Sequence, residues 1–311
     1  MKKETGYKIS VVTACYKSVP FLERIYSSLK KQSFKNIEWI TVNDCSPDNT
    51  LAMLHQLKDK GELDMNIINL AQNTRAVGAM AEGIKHATGD FTLILDHDDE
   101  LLDNAILPML EIWDKMNEQT NTALYGIWGR CIDECGKQIG KSIESTPLIR
   151  TNAQLFHKYK LRGEWGISLF KTSVLKEFYV FENNIKGCTN GIIWNRMGQQ
   201  FSSVLTNIFL RRYYTIVPGS MMQAKTVAVP RAMARQEAEY LNSNGKFFIN
   251  DAIFFLKKII IYLKYNYHSG QSLLAGISNL KDNFFKLLSV LLIPVFVYVV
   301  LRDKFFKEKH V

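Results

Sequence analysis

Apolar and polar positions alternate in blocks through the first hundred residues. Lys8 to Cys15 (KISVVTAC) is an apolar, β-branched run that predicts a buried strand, broken by Tyr16-Lys17-Ser18-Val19-Pro20. Phe21 to Gln32 sets Phe21, Leu22, Ile25 and Leu29 on one helical face. Ile37 to Asn43 predicts a second strand, and the polar turn after it lets Ser46 or Asp48 cap a helix from Thr50 to Lys60. Met65 to Leu70 is a short third strand, and Ala76 to His86 a small-residue helix closed by Gly89. Phe91 to Leu95 is a fourth, buried strand that ends abruptly in Asp96-His97-Asp98-Asp99-Glu100. A helix is expected from Glu100 to Asn117.

The order β-α-β-α-β-α-β predicts a doubly wound, mostly parallel sheet flanked by helices. Polar, Asp-bearing turns follow strands two and four, so Asp44 and the acid cluster share the carboxyl rim, where open α/β sheets bind ligands. Neither GxGxxG nor GxxxxGK[ST] occurs, so phosphates must be held by a metal and basic side chains rather than a glycine cradle. Three aspartates within four positions repel one another. Unless well exposed they need a cation, and a divalent ion that keeps its waters and also binds phosphate needs only one or two carboxylates. The competing reading is an acidic first turn of the following helix, favoured by the helix dipole.

The second half continues with a strand from Ala123 to Cys131, a hairpin turn at Asp133 to Gly136 and a loop from Arg162 entering a strand that reaches Lys171. Gly191 to Met197 opens a helix, and Val204 to Ser220 reads as a strand pair or a strand and turn with Tyr213 and Tyr214 buried. Phe247 to Tyr267 reads as an amphipathic helix with Lys257, Lys258 and Lys264 near its polar face. Leu287 to Leu301 is uncharged between Lys286 and Arg302, too short to span a bilayer straight, and Pro294 interrupts it. The division expected is 1–244 as an α/β domain, in halves 7–101 and 102–244, and 245–311 as a helical, apolar tail.

Charge sharpens that division. Of the chain's net +9, +6 falls between Gly245 and Val311, where 10 Lys/Arg face 4 Asp/Glu. A basic and apolar tail points to an anionic membrane surface, not to nucleic acid. A monotopic or peripheral attachment is expected, the alternative being a buried helix that covers the sheet or forms a dimer. Five cysteines (15, 45, 131, 135 and 188) make no zinc-site pattern, and their odd number, with a chain that leads straight into a strand, predicts a cytoplasmic, reducing setting.

Three stretches then combine. Ser10 to Tyr16, Val42 to Thr50 and Gly89 to Leu101 resemble the inverting family 2 glycosyltransferases of the GT-A fold, which carry a (V/I)-(D/N)-D-x-S-x-D segment and a D-x-D-D segment about fifty residues later. The resemblance covers roughly residues 7 to 220. It implies a metal-assisted transfer of a hexose-type sugar, with inversion, from a nucleotide-diphosphate donor, UDP-linked by expectation, to a glycan or lipid-linked acceptor in bacterial surface-polysaccharide synthesis. In that reading Thr13 and Tyr16 line the base, Asp44 accepts its N–H, and Asp96 faces the ribose or sugar. Asp98 holds Mn²⁺ or Mg²⁺ on the diphosphate, Arg75 serves the diphosphate, and His97 is a spacer.

The chain also departs from the family. Ala14 and Lys17 stand where Pro and Asn are common in the first loop, Cys45 where Gly is usual, and Met80-Ala81 where Arg-Asn is common. Asn190 stands where relatives carry the acid that deprotonates the acceptor, and an amide cannot serve as that base. Glu164, in an aromatic loop beside Trp165, takes its place as catalytic candidate together with Asp99. Two rivals remain: a nucleotidyltransferase that makes nucleotide sugars, and a nucleotide-sugar-binding protein that has lost its base.

Overall fold

The computed structural model describes residues 6–143, 145–161, 166–180, 190–214 and 230–308, with side chains described to 302. The chain divides into two compact units, one of residues 1–156, 160–181 and 196–224, the other of residues 157–159, 182–195 and 225–311.

In the first unit the alternation expected from the sequence is present. Strands β1 (Ile9–Cys15), β2 (Ile37–Asn43), β3 (Asp64–Asn69) and β4 (Phe91–Ile94) alternate with helices α1 (Leu22–Lys30), α2 (Thr50–Asp59) and α3 (Arg75–His86). They pair in parallel in the order β3-β2-β1-β4. The apolar run of β1 is divided between two faces. Ile9, Val11 and Cys15 join a core with Leu22, Ile25 and Leu29 of α1 and with Leu54 and Leu57 of α2. On the opposite face α3 packs closely over β1 and β2, and Gly83 makes that approach possible. A Cβ at Gly83 would lie 2.5 Å from Val12 Cγ1 and 2.9 Å from Val42 Cγ2.

Beyond β4 the sheet becomes mixed. Helix α4 (Ile106–Glu118) is followed by β6 (Leu124–Ile132), β7 (Leu148–Arg150), β8 (Gly166–Lys171), α5 (Thr172–Phe178), α6 (Gly191–Gln200) and β9 (Ser202–Arg212). Strand β8 runs antiparallel between β4 and β6, and β9 lies parallel to β6. The stretch from Val204 is therefore a single long strand to Arg212, after which Tyr213 and Tyr214 are half-buried rather than buried.

One expectation is overturned at a place that matters. The acids do not open a helix. Glu100–Leu101 forms a short strand, β5, whose Glu100 and Leu101 stand opposite Arg212 and Arg211 of β9, and the helix begins only at Ile106. Pairing to β9 gives Glu100 a cationic neighbour and the backbone a ladder, which an isolated acidic helix turn lacks.

The second unit is helical. Helix α7 (Pro230–Asn244) packs on α8 (Ala252–His268), followed by α9 (Leu273–Ser278), α10 (Asn283–Leu291) and α11 (Ile293–Glu308). The helix expected from Phe247 is delayed by a 3₁₀ turn at Gly245–Phe247 and starts at Ala252. Its core gathers Leu241, Phe255, Ile259, Tyr262, Leu263, Phe285 and Phe296. Inside it, His157 is fully buried, with Nδ1 3.1 Å from Asp251 Oδ2 and Nε2 2.7 Å from the Tyr240 hydroxyl. Lys258, expected on the polar face, instead donates to the buried Glu237 carboxylate at 2.9 Å.

Candidate donor-binding rim

The loops after β1, β2, β3 and β4 meet at the carboxyl rim and are tied by side chains placed in the polar turns. Asp44 N–H donates to Cys15 O at 2.9 Å, Ser46 Oγ accepts the Lys17 N–H at 2.8 Å, and Thr50 Oγ1 accepts the Ser18 N–H at 2.9 Å. The N-cap of α2 is Asn49, which makes no side-chain cap bond; Asp48, one residue before it, accepts the Thr50 N–H at 3.1 Å and hydroxyls of Ser46 and Thr50 at 2.6 Å each. Burial opposes charge on Asp48, but these donors outweigh it and hold its carboxyl below the ordinary range. Cys45 has a φ of +52°, in the left-handed region where glycine is at home.

Asp44 is buried and does more than close its own turn. Its Oδ1 accepts the Thr74 N–H at 2.6 Å and the Thr74 hydroxyl at 2.9 Å, fixing the loop that leads into α3. That loop presents Arg75, exposed and at φ +65°, as the first residue of α3. Tyr16, just past the end of β1, is 41% exposed on the same rim. Thr13 lies deeper: it is fully buried within β1, and its hydroxyl accepts the Trp39 indole N–H at 3.0 Å. On this side the rim therefore presents Tyr16, with Thr13 buried behind it.

The acid loop is held from three directions. From β1, His97 Nδ1 lies 3.3 Å from Ala14 O, and its ring stacks on Phe21 at 5.6 Å, so His97 is an anchor and not a spacer. From α1, Arg24 donates to the backbone carbonyl of Asp98 while its guanidinium lies 3.7 Å from the centre of the Tyr214 ring. From β9, Arg211 donates to Asp99 Oδ2 at 3.0 Å and reaches Asp96 Oδ2 at 3.5 Å, and Arg212 donates to Glu100 at 2.8 Å. Sequence reading missed these three arginines. Arg211 and Arg212 are a pair of cations ending an apolar strand, a signal that carries no meaning until β9 is known to lie beside the acids, and Arg24 on α1 gives none.

The four acids are thereby sorted. Asp99 is wholly buried, against Arg211 and the Tyr214 N–H at 3.2 Å. Burial pushes its carboxyl well above the usual range, Arg211 opposes this, and Asp96 and Asp98 add to the rise. Asp96 keeps a side chain 55% exposed, and Asp98 is half-buried. Burial also raises the Tyr179 hydroxyl, with the charge of Asp96 pushing the same way, so Tyr179 of the α5 end belongs to the surroundings of Asp96.

Among the described residues no three His, Cys, Asp or Glu side chains come together as a metal-holding group. Asp96 and Asp98 supply accessible carboxylate oxygens only, which suits a hard divalent ion that takes the rest of its shell from water and a diphosphate. Asn190 carries no acid; its carbonyl accepts the N–H groups of Ile193 and Trp194 at the start of α6. Glu164 and Trp165 lie outside the described residues.

Residues 10–177 match the model of glycosyl transferase family 2, more than half the chain, and the chain belongs to that family. It is 28% identical over 183 residues to the GalNAc(5)-diNAcBac-PP-undecaprenol beta-1,3-glucosyltransferase of Campylobacter jejuni, covering 55% of this chain and 56% of that protein. It is 33% identical over 95 residues to the poly(ribitol-phosphate) beta-N-acetylglucosaminyltransferase TarS of Staphylococcus aureus, covering 30% of this chain and 16% of TarS. The chain thus spans about half the length of the first relative and a small part of the second. Among solved structures, S. aureus TarS 1-349 in complex with UDP superposes with a TM-score of 0.59 at 20% identity, over 88% of this chain and 75% of that one. The mannosyltransferase PcManGT of Pyrobaculum calidifontis, in complex with GDP-Man and Mn2+, gives 0.57 at 13% identity, over 93% and 88%. At these identities the likeness establishes the GT-A fold.

Proposed function

We propose that this chain transfers a hexose-type sugar, with inversion, from a UDP-linked donor to a glycan or lipid-linked acceptor in cell-surface polysaccharide synthesis. The observation that carries the reading is the acid loop at the end of β4, braced so that Asp99 is internal while Asp96 and Asp98 keep carboxylates at the rim. The family's relatives, which include glycosyltransferases for undecaprenol-linked and poly(ribitol-phosphate) acceptors, support it.

The residues divide the work. Tyr16 covers the base, and Asp44, already engaged with Thr74, fixes the loop beside it and offers its carboxylate to a base N–H. Asp96 takes the ribose or sugar hydroxyls. Asp98 and Asp96 would hold Mn²⁺ or Mg²⁺, which neutralises charge developing on the diphosphate leaving group. Arg75 approaches the same phosphates from the start of α3. Asp99 acts as a positioning residue: its pairing with Arg211 keeps the neighbouring carboxylates turned outward. Glu164 is the candidate base for the acceptor hydroxyl, since Asn190 has no proton-accepting carboxylate.

The test is sugar release and transfer from UDP-GlcNAc and UDP-glucose with Mn²⁺. Donor turnover is expected in the wild type and lost in Asp98→Ala. Equal turnover in Asp98→Ala contradicts the site. Asn190 favours one second reading, a nucleotide-sugar-binding protein without turnover; it predicts UDP binding with no transfer and no donor hydrolysis.

A further inference from the structure

The apolar side of the last two helices has no role in the donor site. Helices α10 and α11 each turn one side inward: Phe285 and Ser289, and Phe296 and Val300, are buried in the core of the helical unit. The opposite sides leave Leu287, Leu291, Tyr298 and Leu301 at 60%, 63%, 65% and 60% exposed. Isolated exposed leucines mean nothing, but no charged residue interrupts the run from Leu287 to Leu301, and patches of this kind on soluble proteins mark interaction surfaces.

Charge gathers at the ends of the run, with Lys281 and Lys286 before it and Arg302 after it. Two acids stand beside them, Asp282 and Asp303, and Asp282 accepts the Phe284 N–H at 2.9 Å. Two tyrosines of these helices are also open to solvent, Tyr267 of α8 at 43% and Tyr298 of α11 at 65%. Cations at both ends of an exposed apolar run are complementary to anionic headgroups over acyl chains.

No helix among the described residues is long and apolar enough to cross a membrane alone; Asn283–Leu291 and Ile293–Arg302 reach that composition only together, across a 51° bend. Both also pack on α8. With their inner sides taken by protein, only their outer sides can meet lipid.

We infer that the α10–α11 elbow is a monotopic docking face for an anionic phospholipid bilayer. Leu287, Leu291, Tyr298 and Leu301 enter the acyl boundary, and Lys281, Lys286 and Arg302 meet the headgroups. This does not depend on the donor-site assignment.

Co-sedimentation of the full chain with phosphatidylcholine vesicles, with and without phosphatidylglycerol, tests it. The wild type is expected to pellet with the anionic vesicles, less so as salt rises, and Leu287→Glu/Leu291→Glu to bind about tenfold more weakly or worse. Both positions are exposed, and an unchanged circular dichroism spectrum and melting temperature check that the variant is folded. The inference is overturned if the wild type stays in solution with both vesicle types, or if the folded variant pellets like the wild type. It is also overturned if the wild type sediments as a dimer without lipid and the variant as a monomer, which makes a second copy the occupant. UDP binding, measured on the same samples, reports separately on the donor site.

Discussion

Replacing Arg211 by methionine tests how the acid loop is held. The Asp99 side chain is 0% and the Arg211 side chain 5% exposed, and their closest atoms are 3.0 Å apart. At an effective dielectric of about 20 that separation corresponds to an attraction of about 5–6 kcal/mol, most of it offset by the desolvation of both groups. The pair therefore adds little net stability, but orphaning one partner is costly. Arg211→Met strands a buried carboxylate that already sits high because of burial and two neighbouring aspartates. Its expected cost is about 3–5 kcal/mol. Asp99→Asn is milder, about 1.5–3 kcal/mol, because Arg211 still has Asp96 at 3.5 Å. The double variant removes both charges and should cost less than the two singles together, by more than about 1 kcal/mol. Urea denaturation gives the stabilities, and UDP titration of the folded variants gives the site readout. Arg211→Met is expected to weaken UDP at least about tenfold, roughly 1.4 kcal/mol, by releasing Asp96 and Asp98 from their outward pose. Singles that add within about 0.5 kcal/mol, or an Arg211→Met that binds UDP like the wild type, refute the reasoning.

Other consequences are more local. Gly83→Ala forces a methyl group into Val12 and Val42 and should destabilise the sheet–α3 packing by about 1–3 kcal/mol, seen as a lower urea midpoint. Lys258→Met leaves Glu237 buried without its cation, in a place where burial already raises its carboxyl, and should cost about 3–5 kcal/mol in a thermal or urea melt. Glu38 is opposed by burial, yet hydrogen bonds from Ser10, Thr88 and Lys8 outweigh it and hold its carboxyl low. Its contribution to stability is therefore present above the unfolded-state value and is lost as pH falls through the lower folded one. Wild type and Glu38→Gln should differ at neutral pH and converge below about pH 4 in pH-dependent urea melts, and a constant gap contradicts this.

The donor half was legible because its signals are local. Strands β1, β2 and β4 are short, mostly apolar and buried stretches, and each ends in a polar turn whose position on the rim follows from the parallel alternation alone. Asp44, Asp96 and Asp98 could be placed without knowing any long-range contact. The surroundings of the acids were not legible for the same reason. Arg24, Arg211 and Tyr214 reach them from α1, from the end of β9 and from just past it, and the β5–β9 pairing that replaced the expected acidic helix turn joins residues more than a hundred positions apart. His97 illustrates the limit: in sequence it separates two acids, while in the fold its ring lies on Phe21 and its nitrogen on Ala14. Thr13 illustrates the reverse, a polar residue whose partner, Trp39, lies within the sheet and not at the rim. The tail's composition pointed to a membrane; which side of α10 and α11 is spare required the core to be seen.

The central claim is that Asp96 and Asp98 form the diphosphate end of a donor site. Its most direct test is the electron paramagnetic resonance signal of free Mn²⁺, titrated with the full chain in the presence and absence of UDP. The account predicts that wild type with UDP removes the free-ion signal beyond what UDP alone removes, and that Asp98→Ala does not. A wild type that takes up no Mn²⁺ with UDP, or an Asp98→Ala variant that takes up as much, contradicts it.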